Sequence, residues 1–192
     1  MENICKKGKN MKVMVVSPHP DDETLGAGGT LLRLKKEGHQ IYWLNITDAK
    51  EKDGWSASFI KQRKEQIQRV CDFFEFDDAF NLKFPPAKLE MLEKSILIQK
   101  IGSCFQTVEP EWIILPDPND AHSDHKITYE SCISCSKIFR YPYIHRITTM
   151  EILSETDFGR IDNPFVPNYF VNISDYMKSK IQALEIYDTE LG

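Results

Sequence analysis

The segment Lys12-Val-Met-Val-Val-Ser-Pro-His-Pro-Asp-Asp-Glu23 joins an apolar run to a dense group of polar side chains. Residues 12–16 are predicted to form a strand, because a continuous apolar run is typical of a parallel strand that is covered on both faces. The polar group follows at the carboxyl end of this strand. Ligand sites of open α/β sheets lie at such ends, so the segment predicts both the fold class and an enzyme site.

Outward from this segment, strands and helices alternate along the chain. The alternation predicts a three-layer α/β domain with a mostly parallel sheet. We expect one domain over 1–192, with 1–10 as a flexible N-terminal extension. The glycines Gly26, Gly28 and Gly29 do not have the spacing of a dinucleotide-binding loop, and they indicate close packing of a helix on the sheet. The predicted strands are 12–16, 40–47, 79–82, 112–115, 147–153 and 169–173, and the predicted helices are 24–37, 58–74, 89–105, 126–139 and 174–187.

The composition indicates which partners are excluded and which cellular compartment is expected. The chain has 192 residues and a net charge of −5, so it offers no basic stripe for nucleic acid. No apolar run approaches the roughly 20 residues of a transmembrane segment. The five cysteines are odd in number and scattered, which indicates reduced thiols and a cytoplasmic protein. A homo-oligomer is compatible with these features.

A second polar cluster, Pro116-Asp-Pro-Asn-Asp-Ala-His-Ser-Asp-His125, follows the predicted strand 112–115. If this strand is a sheet neighbour of the first, the two clusters meet above the sheet. His19, Asp22 and His125 could then hold one metal ion, since three protein ligands with one open position form a common catalytic zinc shell. Iron(II) accepts the same two-histidine, one-carboxylate set.

The residues beside these candidate ligands have side chains suited to moving protons. Asp21 is a candidate general base for a water molecule bound to the metal. His122 could stabilise an oxyanion or protonate a leaving amine. Asp124 could fix the orientation of His122, as carboxylates often do for histidines. His39 and His145 are predicted to be structural, although His145 could reach a site from a loop.

The pair Pro18-His-Pro-Asp-Asp-Glu23 and Ala121-His-Ser-Asp-His125 resembles the paired signature of the LmbE-like (PIG-L) zinc-dependent de-N-acetylases. The resemblance implies a Rossmann-like α/β fold and hydrolysis of an N-acetyl group from an amino sugar or its conjugate. It implies that water bound to zinc attacks the acetamide carbonyl. The roles that it implies are metal binding for His19, Asp22 and His125 and catalysis for Asp21, His122 and Asp124.

The sequence departs from the family pattern at a few positions. In the family's Arg-x-x-Glu pattern, an arginine precedes a glutamate by three residues. Here Gln62 stands three residues before Glu65 and Arg63 is shifted by one position, so the role of Arg63 is left open. The chain ends soon after Tyr187, so we expect either a compact member of the family or a pocket that is closed by something else, such as a partner subunit. The loops expected around the site are polar and poor in aromatic residues, which suits a hydroxyl-rich substrate; they contain Asp48, Lys50, Asp53, Asp117, Asn119 and Asp120.

Two other functions compete with the hydrolase. One is a non-catalytic sugar or nucleotide-sugar binding module on the same fold, which could dispense with a base such as Asp21. The other is a metallophosphoesterase, which usually needs a second metal and more ligands than this sequence offers. The retained Asp21 and the complete ligand set favour the hydrolase.

Overall fold

The structure, a computed structural model, describes residues 10–190. The predicted N-terminal extension, apart from Asn10, therefore lies outside the described residues. The strands are β1 Lys12–Ser17, β2 Gln40–Thr47, β3 Asp78–Phe84, β4 Trp112–Pro116 and β5 Arg146–Met150. The helices are α1 Gly28–Lys36, α2 Ala57–Phe74, α3 Lys94–Val108, α4 Ser123–Ser134, α5 Leu153–Thr156 and α6 Met177–Leu184.

The five strands form one parallel sheet in the order β3-β2-β1-β4-β5. Val13 pairs with Trp112 and Val15 with Ile114, so β1 and β4 are neighbours. The direction in which the chain builds the sheet reverses between these two strands. Such a switch point opens a crevice at the carboxyl ends of the strands, and this crevice lies beside both polar clusters.

The sheet is covered on both faces, which confirms the predicted three-layer α/β class. Val13 and Val15 of β1 belong to a core with α1, α2 and α6, whereas Met14 and Val16 face a second core with α3 and α4. All four side chains are fully buried. This two-sided burial explains why the strand is an uninterrupted apolar run rather than an alternating one.

Close packing explains two of the glycines that follow the first polar cluster. A short π-helix, Glu23–Ala27, leads from that cluster into α1. A Cβ atom at Gly26 would lie 2.7 Å from the sulfur of Met150 in β5, and one at Gly29 would lie 2.6 Å from Ile173 Cδ1. Neither position has room for a side chain, as expected from the sequence.

Several predicted elements differ from those in the structure. Residues 169–173, predicted as a strand, form none; Tyr169 packs on Trp112 and Ile173 on Gly29, so the alternating side chains serve packing instead of a hydrogen-bonded ladder. Helix α3 begins at Lys94, after a 3-10 turn. Helix α4 begins at Ser123, so the end of the second motif is helical. Helix α6 begins only at Met177.

Within residues 10–190, no helix is both long and apolar enough to cross a membrane.

Candidate active site

The structure brings the two polar clusters together at the switch point of the sheet. His19 lies in the loop after β1, and His125 lies in the first turn of α4, after β4. Their ring centroids are 5.5 Å apart. Asp22 lies between them, with Oδ2 3.4 Å from His19 Nδ1 and 3.5 Å from His125 Nε2. In a tetrahedral zinc site with bonds of about 2.0–2.1 Å, neighbouring ligand atoms lie about 3.3 Å apart, so the spacing fits one ion.

The Nε2 atom of His125 is a buried nitrogen that lies beside Asp22. The side chain is fully buried, and among the described residues its Nε2 has no hydrogen-bond partner. Its Nδ1 lies 2.7 Å from Oδ2 of the buried Asp120. Since an ionised carboxylate only accepts hydrogen bonds, Nδ1 carries a proton, and the neutral form of the ring has its lone pair on Nε2. This is the arrangement of a metal-binding histidine oriented by a carboxylate.

His19 is oriented in the same way by a different carboxylate. Its Nε2 lies 3.0 Å from Asp124 Oδ2, which leaves Nδ1 facing Asp22. Burial lowers the pKa of His19, but the hydrogen bonds and charges of Asp124 and Asp22 outweigh burial and raise it to about 10 in the metal-free protein. A metal ion would therefore have to displace a proton from this ring.

The hydrogen-bond partners of the Asp124 carboxylate differ from the predicted one. Its carboxylate was expected to orient His122, but it accepts hydrogen bonds from His19 and from the backbone N–H groups of Ala87 and Leu89. Burial raises the pKa of Asp124, and these hydrogen bonds lower it further than burial raises it. Asp124 therefore ties the loop around Ala87 to the histidine of the first motif. A nitrogen of His122 lies within 4.8 Å of this carboxylate, but the described hydrogen bonds of the carboxylate go to His19, Ala87 and Leu89.

His122 is held by the backbone of Asp124. The Asp124 N–H donates to His122 Nδ1 at 3.1 Å, so a neutral His122 carries its proton on Nε2. Burial, followed by the nearby His19, lowers the pKa of His122. The ring is therefore neutral near pH 7. It is equipped to donate a hydrogen bond to developing negative charge, and less suited to protonating an amine.

Asp21 occupies a strained backbone position beside the candidate metal site. Its φ of +134° lies in a region that side chains other than glycine rarely adopt. The strain is held by hydrogen bonds: the Asp21 N–H donates to the buried Glu23 carboxylate at 3.1 Å, and its carbonyl accepts from Thr24 and Leu25. Glu23 in turn accepts a hydrogen bond from the hydroxyl of Tyr187 at 2.9 Å. Strain of this kind clusters at functional sites.

A cavity of about 340 Å³ opens in front of these side chains, a size that suits a small molecule. It was expected to be poor in aromatic residues, but Trp55 and Phe59 line it. Arg63 lines it too, and its Nη1 donates to the carbonyl of Pro20 at 3.0 Å. The one-position shift in the Arg-x-x-Glu pattern therefore does not remove this side chain from the site. Gln66, three residues after Arg63, is also buried.

Other polar residues named from the sequence lie elsewhere. Asp117 and its neighbour Asn119 hydrogen-bond to each other, and Asp117 lines a separate cavity near β5. His145 is exposed and directly precedes β5, at the opposite end of the sheet from the site. Asp120 was not predicted to orient a histidine; its Oδ1 accepts a hydrogen bond from the hydroxyl of Thr156 at 2.8 Å. The position of Asp120 in the same polar loop as His125 could have indicated this orienting role. Nothing in the sequence indicates the contact with Thr156.

The chain is similar to known de-N-acetylases. The profile of the PIG-L family, GlcNAc-PI de-N-acetylase, matches residues 14–136. The diacetylchitobiose deacetylase of Thermococcus kodakarensis is 25% identical over 190 residues, which cover 93% of this chain and 70% of that protein. A probable N-acetyl-alpha-D-glucosaminyl L-malate deacetylase 2 of Bacillus cereus is 26% identical over 183 residues, which cover 90% and 80%.

A solved structure shares the fold. The N,N'-diacetylchitobiose deacetylase of Pyrococcus horikoshii superimposes with a TM-score of 0.75 at 20% identity, over 94% of this chain and 70% of that one. The family profile spans well over half of the sequence and includes both histidine motifs. The chain belongs to the PIG-L family of de-N-acetylases.

Proposed function

We propose that this chain is a metal-dependent N-deacetylase that hydrolyses the acetamide of an amino sugar or amino-sugar conjugate. Family membership supports an amide hydrolase, and the relatives from Thermococcus and Bacillus are named as deacetylases of N-acetylated sugars. The metal would be held by His19 Nδ1, Asp22 and His125 Nε2. When bound, a divalent ion supplies Lewis acidity and makes water nucleophilic near neutral pH.

The other side chains of the site would handle protons and charge. Asp21 would accept the proton of the attacking water and return it to the departing amine. His122 would donate its Nε2 hydrogen to the acetamide oxygen as negative charge develops there. Asp120 and Asp124 would act through the two ligand histidines by holding each ring in one tautomer. They are positioning residues in this proposal.

One observation carries the proposal: a fully buried imidazole nitrogen of His125 without a described hydrogen-bond partner faces Asp22 and His19 beside a cavity. An unmet polar atom in the interior is costly, so its retention favours a bound ion. The test is acetate release from a panel of N-acetyl sugars, sugar nucleotides and glycosides, together with metal analysis of the purified protein. We expect about one divalent ion per chain and acetate from at least one glycoside. A metal-free preparation that still releases acetate would contradict the assignment.

The finer assignments belong to the same proposal. We propose zinc as the ion, with iron(II) as the alternative for this ligand set; activity after anaerobic reconstitution with each ion distinguishes them. We also propose that the chain works as one catalytic domain in the cytoplasm. The four cysteines in the described part of the chain are free thiols, which agrees with a reducing compartment.

A further inference from the structure

Building on the proposed function, we propose that Trp55 and Phe59 form a subsite for a second, uncharged sugar ring, so that the preferred substrate is a neutral disaccharide with a terminal N-acetyl sugar. Both aromatic rings line the cavity that contains Asp21 and Asp22. An aromatic face suits the apolar C–H face of a pyranose, while the sugar hydroxyl groups stay in water. The subsite would bind the ring that is linked to the reacting sugar.

The rings of Trp55 and Phe59 lie along a wall that leads away from the candidate catalytic residues. Trp55 stacks on Phe59 with centroids 4.5 Å apart and planes at 21°, and the guanidinium of Arg63 lies 5.3 Å from the Phe59 centroid. The three residues follow one another at intervals of four, so they form one wall along the start of α2. Arg63 contacts the carbonyl of Pro20, next to Asp21. Trp55 directly precedes the N-cap of α2, eight residues before Arg63, and is therefore at the opposite end of the wall from Arg63.

The exposure of Trp55 indicates a surface that is shaped for a ligand. The side chain is 39% exposed although its ring is stacked. It precedes Ser56, the N-cap of α2, and a hydrophobic staple at that position would pair it with Ile60 rather than Phe59. The loop before it is tied down, because Asp53 accepts a hydrogen bond from Lys88 at 3.1 Å. A ring that is already held in place loses little conformational freedom when a sugar binds.

The charge of the cavity selects against acidic substrates. Among the described residues that line it, four carry carboxylates, Asp21, Asp22, Asp48 and Glu155, whereas one, Arg63, carries a guanidinium. An acidic group of a substrate bound in this cavity would meet this excess of carboxylates. A neutral second sugar would not.

Binding measurements test the subsite separately from catalysis. Metal-loaded Asp21→Asn protein, which should not turn substrate over, is titrated by calorimetry with N-acetylglucosamine, N,N'-diacetylchitobiose and N-acetylglucosaminyl malate. We expect the disaccharide to bind about tenfold more tightly than either other ligand, as one aromatic contact would provide. Adding Trp55→Ala should bring the disaccharide to within about twofold of the monosaccharide. Trp55→Phe should keep most of the preference.

A control separates the subsite from general effects of removing an aromatic side chain. Phe139→Ala removes a ring that is 75% exposed and is not part of the cavity, so it should leave all three affinities unchanged. The subsite is refuted if Trp55→Ala keeps the preference for the disaccharide, if the malate glycoside binds as tightly, or if no disaccharide binds. Failure of the proposed function looks different, because the unsubstituted enzyme would then release no acetate whatever the binding preference.

Discussion

Replacing Asp21 by glycine should leave the protein more stable than replacing it by alanine, and both changes should destroy its activity. The φ of +134° at Asp21 is unfavourable for any side chain with a Cβ, and such strain costs about 1–3 kcal/mol. Glycine removes this strain. It also gives the unfolded chain more freedom, which costs about 0.4–1 kcal/mol. The net gain relative to alanine at the same position is therefore about 1–2 kcal/mol.

Comparing the glycine variant with the alanine variant isolates the contribution of the backbone at position 21 to stability. Asp21→Ala and Asp21→Gly both lose the carboxylate and every contact that it makes, so the difference between them reports on the strain at this φ less the greater freedom of glycine in the unfolded chain. For a chain of 192 residues, 1 kcal/mol corresponds to roughly 2–4 °C in Tm. We expect Asp21→Gly to melt about 2–8 °C above Asp21→Ala in the metal-free protein. Thermal unfolding followed by circular dichroism, supported by urea titration, measures this difference.

A matched pair of substitutions at an exposed position should give a stability difference of the opposite sign. Lys61 lies inside α2 and its side chain is 81% exposed, so glycine there should be less stable than alanine by about 1 kcal/mol. The interpretation of Asp21 as a strained catalytic position fails if Asp21→Gly is no more stable than Asp21→Ala. Both variants should also lose about 10²–10⁴-fold in acetate release, because no carboxylate remains to accept the proton.

The remaining predictions concern the metal site and its protons. Asp120→Asn should lower metal affinity about 10–100-fold in competition with a chromophoric chelator, and Asp117→Asn should not; equal affinities would remove Asp120 from its orienting role. His125→Ala should be purified without metal, and unchanged metal content would contradict the ligand set. Asp21→Asn should keep its metal and lose turnover, so an active, metal-loaded variant would exclude Asp21 as the base. The folded-state pKa of His19, raised from 6.5 to about 10, means that the metal-free protein is stabilised most below pH 6.5 and loses this contribution as the pH rises through 10. Its Tm should fall over that interval, His19→Gln should flatten the fall, and an equally steep profile in the variant would contradict it.

The positions of the two orienting carboxylates show how far sequence reasoning can reach. The sequence pairs Asp124 with His122 because they are neighbours in the motif. In the structure the helical start of α4 turns the Asp124 carboxylate toward His19, more than a hundred residues earlier. Spacing along the chain suggests which residues share a site, but the direction of each side chain depends on the local backbone.

The wall formed by Trp55, Phe59 and Arg63 makes the same point for the pocket. A polar loop suggests a polar cavity when it is judged from its composition. The turn at Gly54, with a φ of +98°, leads into Trp55, which stacks on the first turn of α2 and lines the cavity. Because of this one residue at the end of a polar loop, the cavity has an aromatic wall instead of an entirely polar one. No periodic pattern marks such a residue in advance.

Local patterns were sufficient for the parallel α/β class, the two histidine clusters and the candidate ligands His19, Asp22 and His125. Apolar runs report burial on both faces of a strand, and polar residues at strand ends report where a parallel sheet can hold a site. Tertiary structure alone decided which nitrogen of each histidine faces Asp22, which carboxylate holds each ring, and the strained φ of Asp21. These features depend on contacts between segments that are far apart in the chain, and their energies arise only when the segments are packed together.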